Sequence, residues 1–185
     1  MNMDRQTDEY GYPIIAPEDL EYANFELINW GGTGAPILAV NPGIEGSYYY
    51  IEDGQVKQFY IPMSSYGHQL FIAGTDYFLD SCLMNSSQYA DVLQFHDGTV
   101  TQIGSYTIWR DLNTGNIENQ FFHTLGNDTS QEEFTVQIDS RLGTGAAAQV
   151  MNHVLGGENG GPMTYVEGVY FNYSEIEEAL SDFQG

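Results

Sequence analysis

Gly143, Gly145 and Ala148 stand between an apolar run and the stretch AAAQVMNHVL, in the order G-x-G-x-x-A of a dinucleotide-binding turn. Glycines at that spacing let a backbone approach a pyrophosphate, and the following helix N-terminus favours an anion. A dinucleotide fold needs several parallel strand–helix–strand units, however, and this chain offers one such stretch among hairpins. The glycines therefore read as a cap before an amphipathic helix. Four histidines, His68, His96, His123 and His153, share no surrounding motif and form no H-x-x-x-H or H-E-x-x-H pair. A zinc site would have to be assembled from distant strands, and neither a metal nor a cofactor is expected. Asp76, Asp80, Asp91, Asp97 and Asp111 are the carboxylates placed for paired-acid hydrolysis of a sugar, but sequence gives no separation between them. There is no G-x-S-x-G elbow, and Cys82, among Phe78, Leu79, Leu83 and Met84, reads as a buried structural thiol. No catalytic residue is assigned.

Aromatic side chains give the stronger hint. Tyr48, Tyr49, Tyr50, Tyr60, Tyr66, Tyr77, Tyr106, Trp109 and Tyr170 exceed what alternation needs for one buried face. Some must lie on an outer face, where Tyr and Trp act as platforms for glycans or peptides. The plainer alternative is ordinary cross-strand pairing in a Tyr-rich sheet. Tyr49, Tyr60, Tyr106 and Trp109 are the candidate ligand-binding residues.

The elements that must position these groups are mostly strands. A chain of 185 residues with 14 Tyr, 10 Phe and 21 Gly favours strands and tight turns, and is long enough for one well-buried core. SYYYI-EDG-QVKQFYI (47–61) and YADVLQF-HDG-TVTQIGSY (89–106) are hairpins with Asp-Gly turns, and TIWRDLNTGNIENQFF (107–122) turns at Asn113-Thr-Gly115. Residues 127–131 read as a polar loop and Phe134 to Ile138 as a strand. Thr144 is placed to cap a helix over about 144–155, followed by a strand within MTYVEGVYF. A final helix spans about 174–183, with Ser174 and Glu177 as a capping box and Ile176, Ala179, Leu180 and Phe183 as its apolar stripe. Residues 1–18 are a polar arm and 19–185 a single domain.

Charge narrows the partners. The net charge of -22 reflects only 4 Lys and Arg against 26 Asp and Glu. Such a surface repels nucleic acid, whose phosphates need cations. The carboxylates are dispersed, whereas an acidic decoy of nucleic acid would concentrate them. No apolar run approaches the ~20 residues that cross a bilayer, and the start, MNMDRQTDEYGYP, carries no signal peptide.

Phe25 to Val40, FELINWGGTGAPILAV, resembles the hairpin YALxDxNGDGxPELLI of secreted proteins and lipoproteins of gut Gram-positive bacteria, related to FG-GAP/VCBS-like repeats. SYYYIEDGQV is similar to the hairpin that follows it, and TYVEGVYFNYSEIEEALSDF to the end of such proteins. Where that loop carries its calcium ligands, this chain has Asn29, Gly31, Thr33 and Ile37, so the turn keeps its glycines without carboxylates for a hard cation. The resemblance implies an extracellular or envelope-attached location and a β-rich domain of unassigned function.

The expected architecture is mainly β (α+β): antiparallel hairpins in a twisted sheet or incomplete propeller-like meander, with one or two short C-terminal helices. The expected role is a non-catalytic module for capture, adhesion or scaffolding, with a glycan or protein ligand. The alternatives are a hydrolase using strand carboxylates and an acidic inhibitor that mimics nucleic acid.

Overall fold

The structure, a computed structural model, describes residues 23–30, 36–41, 46–62, 67–84, 86–157 and 160–182, without the side chains at 177 and 179–182. The arm at 1–18, Gly31, Thr33, Gly34, Tyr66, the Glu177 cap and the stripe residues Ala179, Leu180 and Phe183 lie outside that description. Strands β1 (Phe25–Ile28), β2 (Ile37–Val40), β3 (Ser47–Glu52), β4 (Gln55–Tyr60) and β11 (Val169–Phe171) form one antiparallel sheet in the order β11-β1-β2-β3-β4. Strands β5 (His68–Phe71), β6 (Tyr77–Cys82), β7 (Ser87–His96), β8 (Thr99–Arg110), β9 (Ile117–Thr124) and β10 (Asn127–Asp128) form a second, ordered β10-β9-β8-β7-β6-β5. Helices α1 (Gln131–Leu142), α2 (Ala146–Leu155) and α3 (Tyr173–Asp182) complete the fold. The protein is mainly β, and among the described residues neither sheet closes into a barrel.

Three apolar clusters stack these elements into four layers. Trp30, Ile37, Tyr48, Tyr50, Phe71, Phe78 and Phe95 fill the space between the sheets. Phe134 and Ile138 of α1, with Val150 and Val154 of α2, pack on Leu79, Val92, Tyr106 and Ile108 across the outer face of the second sheet. Ile176 of α3 meets Phe25, Leu27 and Val40 on the outer face of the first. Alternation makes both assignments unavoidable: Phe78 and Leu79 are neighbours in sequence and point to opposite layers.

The turns follow the sequence. Asp53-Gly54 and Asp97-Gly98 all have positive φ, the backbone of a two-residue hairpin that twists with its strands. One bulge departs from that regularity. Pairing across β7 and β8 is regular from His96↔Thr99 to Leu93↔Gln102, then shifts so that Val92 faces Gly104 and Asp91 faces Ser105. The extra residue, Ile103, is buried, and every β8 side chain beyond it changes face relative to a uniform count.

Three helix expectations are corrected. Phe134 to Ile138 is not a strand but the middle of α1, whose Ser130 hydroxyl accepts the Glu133 amide while the Glu133 carboxylate accepts the Ser130 amide. The β-branched run TVQI suggested extension, but Phe134 and Ile138, one helical turn apart, are the two residues α1 buries. Thr144 does not cap α2: the N-cap is Gly145, and the Asp139 carboxylate accepts the amides of Gly145 and Ala147, both at 2.9 Å. In α3 the Asn172 side-chain oxygen Oδ1 accepts the Glu175 backbone amide at 3.0 Å and the Glu175 carboxylate accepts the Asn172 backbone amide at 3.0 Å, so the box begins two residues before Ser174. Of MTYVEGVYF, only Val169–Phe171 forms a strand, while Tyr165 bridges to Ile72.

Candidate functional site

A row of polar residues crosses the inner face of the second sheet from edge to edge. Direct pairing runs Gln69↔Asp80, Asp80↔Asp91, Asp91↔Ser105, Ser105↔His123 and His123↔Asp128. Directly opposed side chains on adjacent strands stand about 5 Å apart at Cβ, so these six groups form one contiguous band.

The band changes character along its length. At its inner end Asp80 is fully buried and Asp91 is 7% exposed. Tyr60, reaching across from β4 of the other sheet, donates its hydroxyl to Asp80, and Gln69 Nε2 donates to the other Asp80 oxygen at 2.7 Å. The Tyr48 hydroxyl donates to Gln69 Oε1 at 2.7 Å. Burial raises the Asp91 carboxyl above its usual range, the Asp80 carboxylate raises it further, and hydrogen bonds from Ser105 and Gln102 oppose the shift. Burial and Asp80 likewise raise the Tyr60 phenol far above its usual value. Beside this pair the Tyr89 hydroxyl is buried without a hydrogen-bond partner among the described residues. At the outer end the half-buried His123 has its Nε2 2.9 Å from an oxygen of the exposed Asp128.

The next rows on the same face are aromatic. Thr107 pairs with Tyr89 on one side and Phe121 on the other, and Trp109 follows Thr107 by one alternation. Trp109 is 51% exposed and Phe121 40%, with ring centroids 5.7 Å apart in an edge-on arrangement. Neither belongs to the cluster between the sheets, so this end of the face carries an open aromatic surface beside a polar band.

The candidate aromatics do not converge. Trp109 lies on the open face. Tyr60 is half-buried and ties the sheets together through Asp80. Tyr49 is half-buried on the opposite face of the first sheet, in the α3 cluster. Tyr106 is fully buried, stacked on Phe122 beneath α1, with its hydroxyl donating to Gln120 at 2.7 Å. Its place in the core excludes it as a surface platform. The odd separation of Tyr106 and Trp109 is the signal that they face opposite ways, and Phe121, Ser105 and Tyr89 enter only through strand register.

The other chemical candidates separate as well. His153 Nε2 is 3.0 Å from the Ser81 hydroxyl on the helix side of the second sheet, away from His123. Among the described residues no three His, Cys, Asp or Glu side chains gather closely enough to hold a metal ion. The glycine turn at 143–145 presents its amides to Asp139, so the anion position at the start of α2 is filled by the chain's own carboxylate. Cys82 is buried. No helix among the described residues is long and apolar enough to cross a membrane.

A second concavity opens between the sheets, a cleft of about 450 Å³ at Glu26, Tyr48, His68, Gln69, Glu167 and Tyr170. It meets the polar band at Gln69. No family model matches the chain, and no curated protein or solved structure shows significant similarity to it.

Proposed function

We propose that this protein is a non-catalytic binding module that captures a polyhydroxylated, uncharged ligand of the glycan class on the open inner face of the second sheet. The observation that carries the reading is the exposed Trp109–Phe121 pair standing on the same face as the Ser105–His123–Asp128 end of the polar band. A sugar ring offers an apolar C–H face for an aromatic ring and hydroxyls for neighbouring carboxylate, imidazole and hydroxyl groups. A net charge of -22 suits a neutral ligand better than an anionic one. An extracellular or envelope-attached setting fits the same reading.

The second reading, a hydrolase built on the Asp80–Asp91 pair, rests on their direct cross-strand pairing. Paired carboxyls with one raised are the arrangement that acid catalysis of sugar cleavage uses. It is the weaker reading because Asp80 is fully buried, with hydrogen bonds from Tyr60 and Gln69.

A glycan array probed with the wild type and Trp109→Ala tests the proposal. Binding to a defined carbohydrate set, weakened at least about tenfold by the substitution, is expected, as loss of ~1.4 kcal/mol of ring contact gives that factor. Silence of the wild type across the array rules the reading out. Release of reducing sugar, abolished by Asp91→Asn, would move the assignment to the hydrolase.

A further inference from the structure

The cleft between the sheets has a lining whose chemistry is distinct from that of the open face. Glu26, in β1, projects inward between Tyr170 of β11 and Ala39 of β2, beyond which lies Tyr48 of β3. Its carboxylate accepts hydrogen bonds from the Gly168 amide and the Tyr170 hydroxyl, which fix its position on the cleft wall. The wall leaves no slack there: a Cβ at Gly168 would fall 2.0 Å from Glu26 Oε1. Glu167 brings a second carboxylate, Val166 an apolar side, and Tyr170 an exposed aromatic ring, while the buried Tyr48 closes the cleft at its back.

Among the described residues no lysine or arginine lines this space and Glu26 has no ion-pair partner. A half-buried carboxylate held by two neutral donors has lost water without gaining a countercharge. Two carboxylates beside an aliphatic wall are together the complement of an ammonium group on a short alkyl chain. The volume of about 450 Å³ falls in the range of small-ligand sites.

The geometry points to a second binding site in this cleft, for a primary alkylammonium group seated on Glu26. The ammonium donates to the Glu26 carboxylate, and its alkyl chain runs along Val166. The same chemistry is offered by a free aliphatic amine and by a lysine side chain. Burial raises the Glu26 carboxyl, so a bound cation also offsets what burial costs the ionised form.

Calorimetric titration at neutral pH with pentylamine, 1-pentanol and pentanoate tests the site, with acetyl-lysine methylamide as a parallel probe. Saturable one-to-one binding of the amine, with the alcohol and the acid silent, is expected. Glu26→Gln weakens it at least tenfold, and Gly168→Ala weakens it too by displacing the carboxylate. Glu132→Gln, an equal charge change on exposed α1, leaves it unaltered and separates site binding from general attraction to an acidic protein. Thermal melts matching the wild type show that the variants are folded. Tighter binding of the lysine probe identifies a protein side chain as the source, and tighter binding of pentylamine a free amine. Absence of saturable binding by both amines, or equal affinity in wild type and Glu26→Gln, overturns the proposal. Neither result touches the open-face reading, which depends on Trp109.

Discussion

Asp80 and Asp91 face each other directly across β6 and β7, so two carboxyl groups lie side by side in the interior with one of them held above its usual range. A raised folded value means that the folded chain keeps this proton to higher pH than the unfolded one. The stabilisation is complete below the ordinary carboxylate value of 3.8 and is lost as pH rises through the raised one. Asp91→Asn removes that drift. Urea unfolding between about pH 3 and about pH 8 is expected to show the wild type losing stability relative to the variant across this window, by ~1.4 kcal/mol for each unit of displacement. A difference between the two proteins that stays constant with pH contradicts it.

Tyr60 is the hydroxyl donor that reaches Asp80 from the opposite sheet. Tyr60→Phe keeps the ring against Phe78 and removes only that hydrogen bond to a buried carboxylate. The expected loss is about 1–3 kcal/mol. Amide exchange should quicken in β4 while β8 stays protected, because the tie belongs to the junction between the sheets. Uniform quickening in both strands would place the effect elsewhere.

Gly104 lies in β8 beneath α1, where a Cβ would meet Ile138 Cδ1 at 2.9 Å, Phe134 Cε2 at 3.2 Å and the His123 carbonyl at 3.3 Å. Gly104→Ala is therefore expected to lower stability by about 1–3 kcal/mol despite alanine's better strand entropy. Combining it with Ile138→Val, which withdraws the nearest methyl, should recover part of the loss. Additive losses in the double variant would refute this contact as the cause.

Asp139 serves as the anion for α2. Asp139→Ala should cost about 1–2 kcal/mol, the range of a lost helix cap, and Asp139→Asn less. Inorganic phosphate should leave the wild-type melting temperature unchanged beyond its general salt effect. A selective rise on adding a dinucleotide would restore the nucleotide reading of the glycine turn.

Leu125 has φ of 50° in the turn between β9 and β10, ahead of Gly126 at 79°. A leucine in that left-handed backbone is strained, whereas asparagine tolerates it. The side chain is 55% exposed, so little packing is forfeited. Leu125→Asn is expected to raise the melting temperature through ~1 kcal/mol of stability. A lower melting temperature would show that the leucine makes contacts worth more than the strain.

The hairpins were legible because Asp53-Gly54, Asp97-Gly98 and Gly115 state their backbone conformation in residue type alone. The helices α2 and α3 were legible in apolar spacing. Helix α1 was hidden by Thr135, Val136 and Ile138, strand-favouring residues in a segment that the Ser130–Glu133 box and contact with β8 and β9 hold helical. For the site, the aromatic surplus was readable and Trp109 was one of the four candidate aromatics. The partners were not, because counting outward from Asp97-Gly98 sets Asp91 against Gly104. The bulge at Ile103 moves the pairing to Ser105. One inserted residue thus decides which side chains share the open face, and strand propensity carries no information about it.

Strand β11 closes the first sheet by pairing Phe171 with Phe25, residues from opposite ends of the described chain. The second sheet with α1 and α2, by contrast, runs continuously from residue 68 to residue 155. On a ribosome the latter can gather its core while the first sheet still lacks an edge strand, and β1 stays available to wrong neighbours until Val169–Phe171 emerges. Assembly thus has an order written into it: a locally connected half to build upon, and a half that waits for a distant strand to close it.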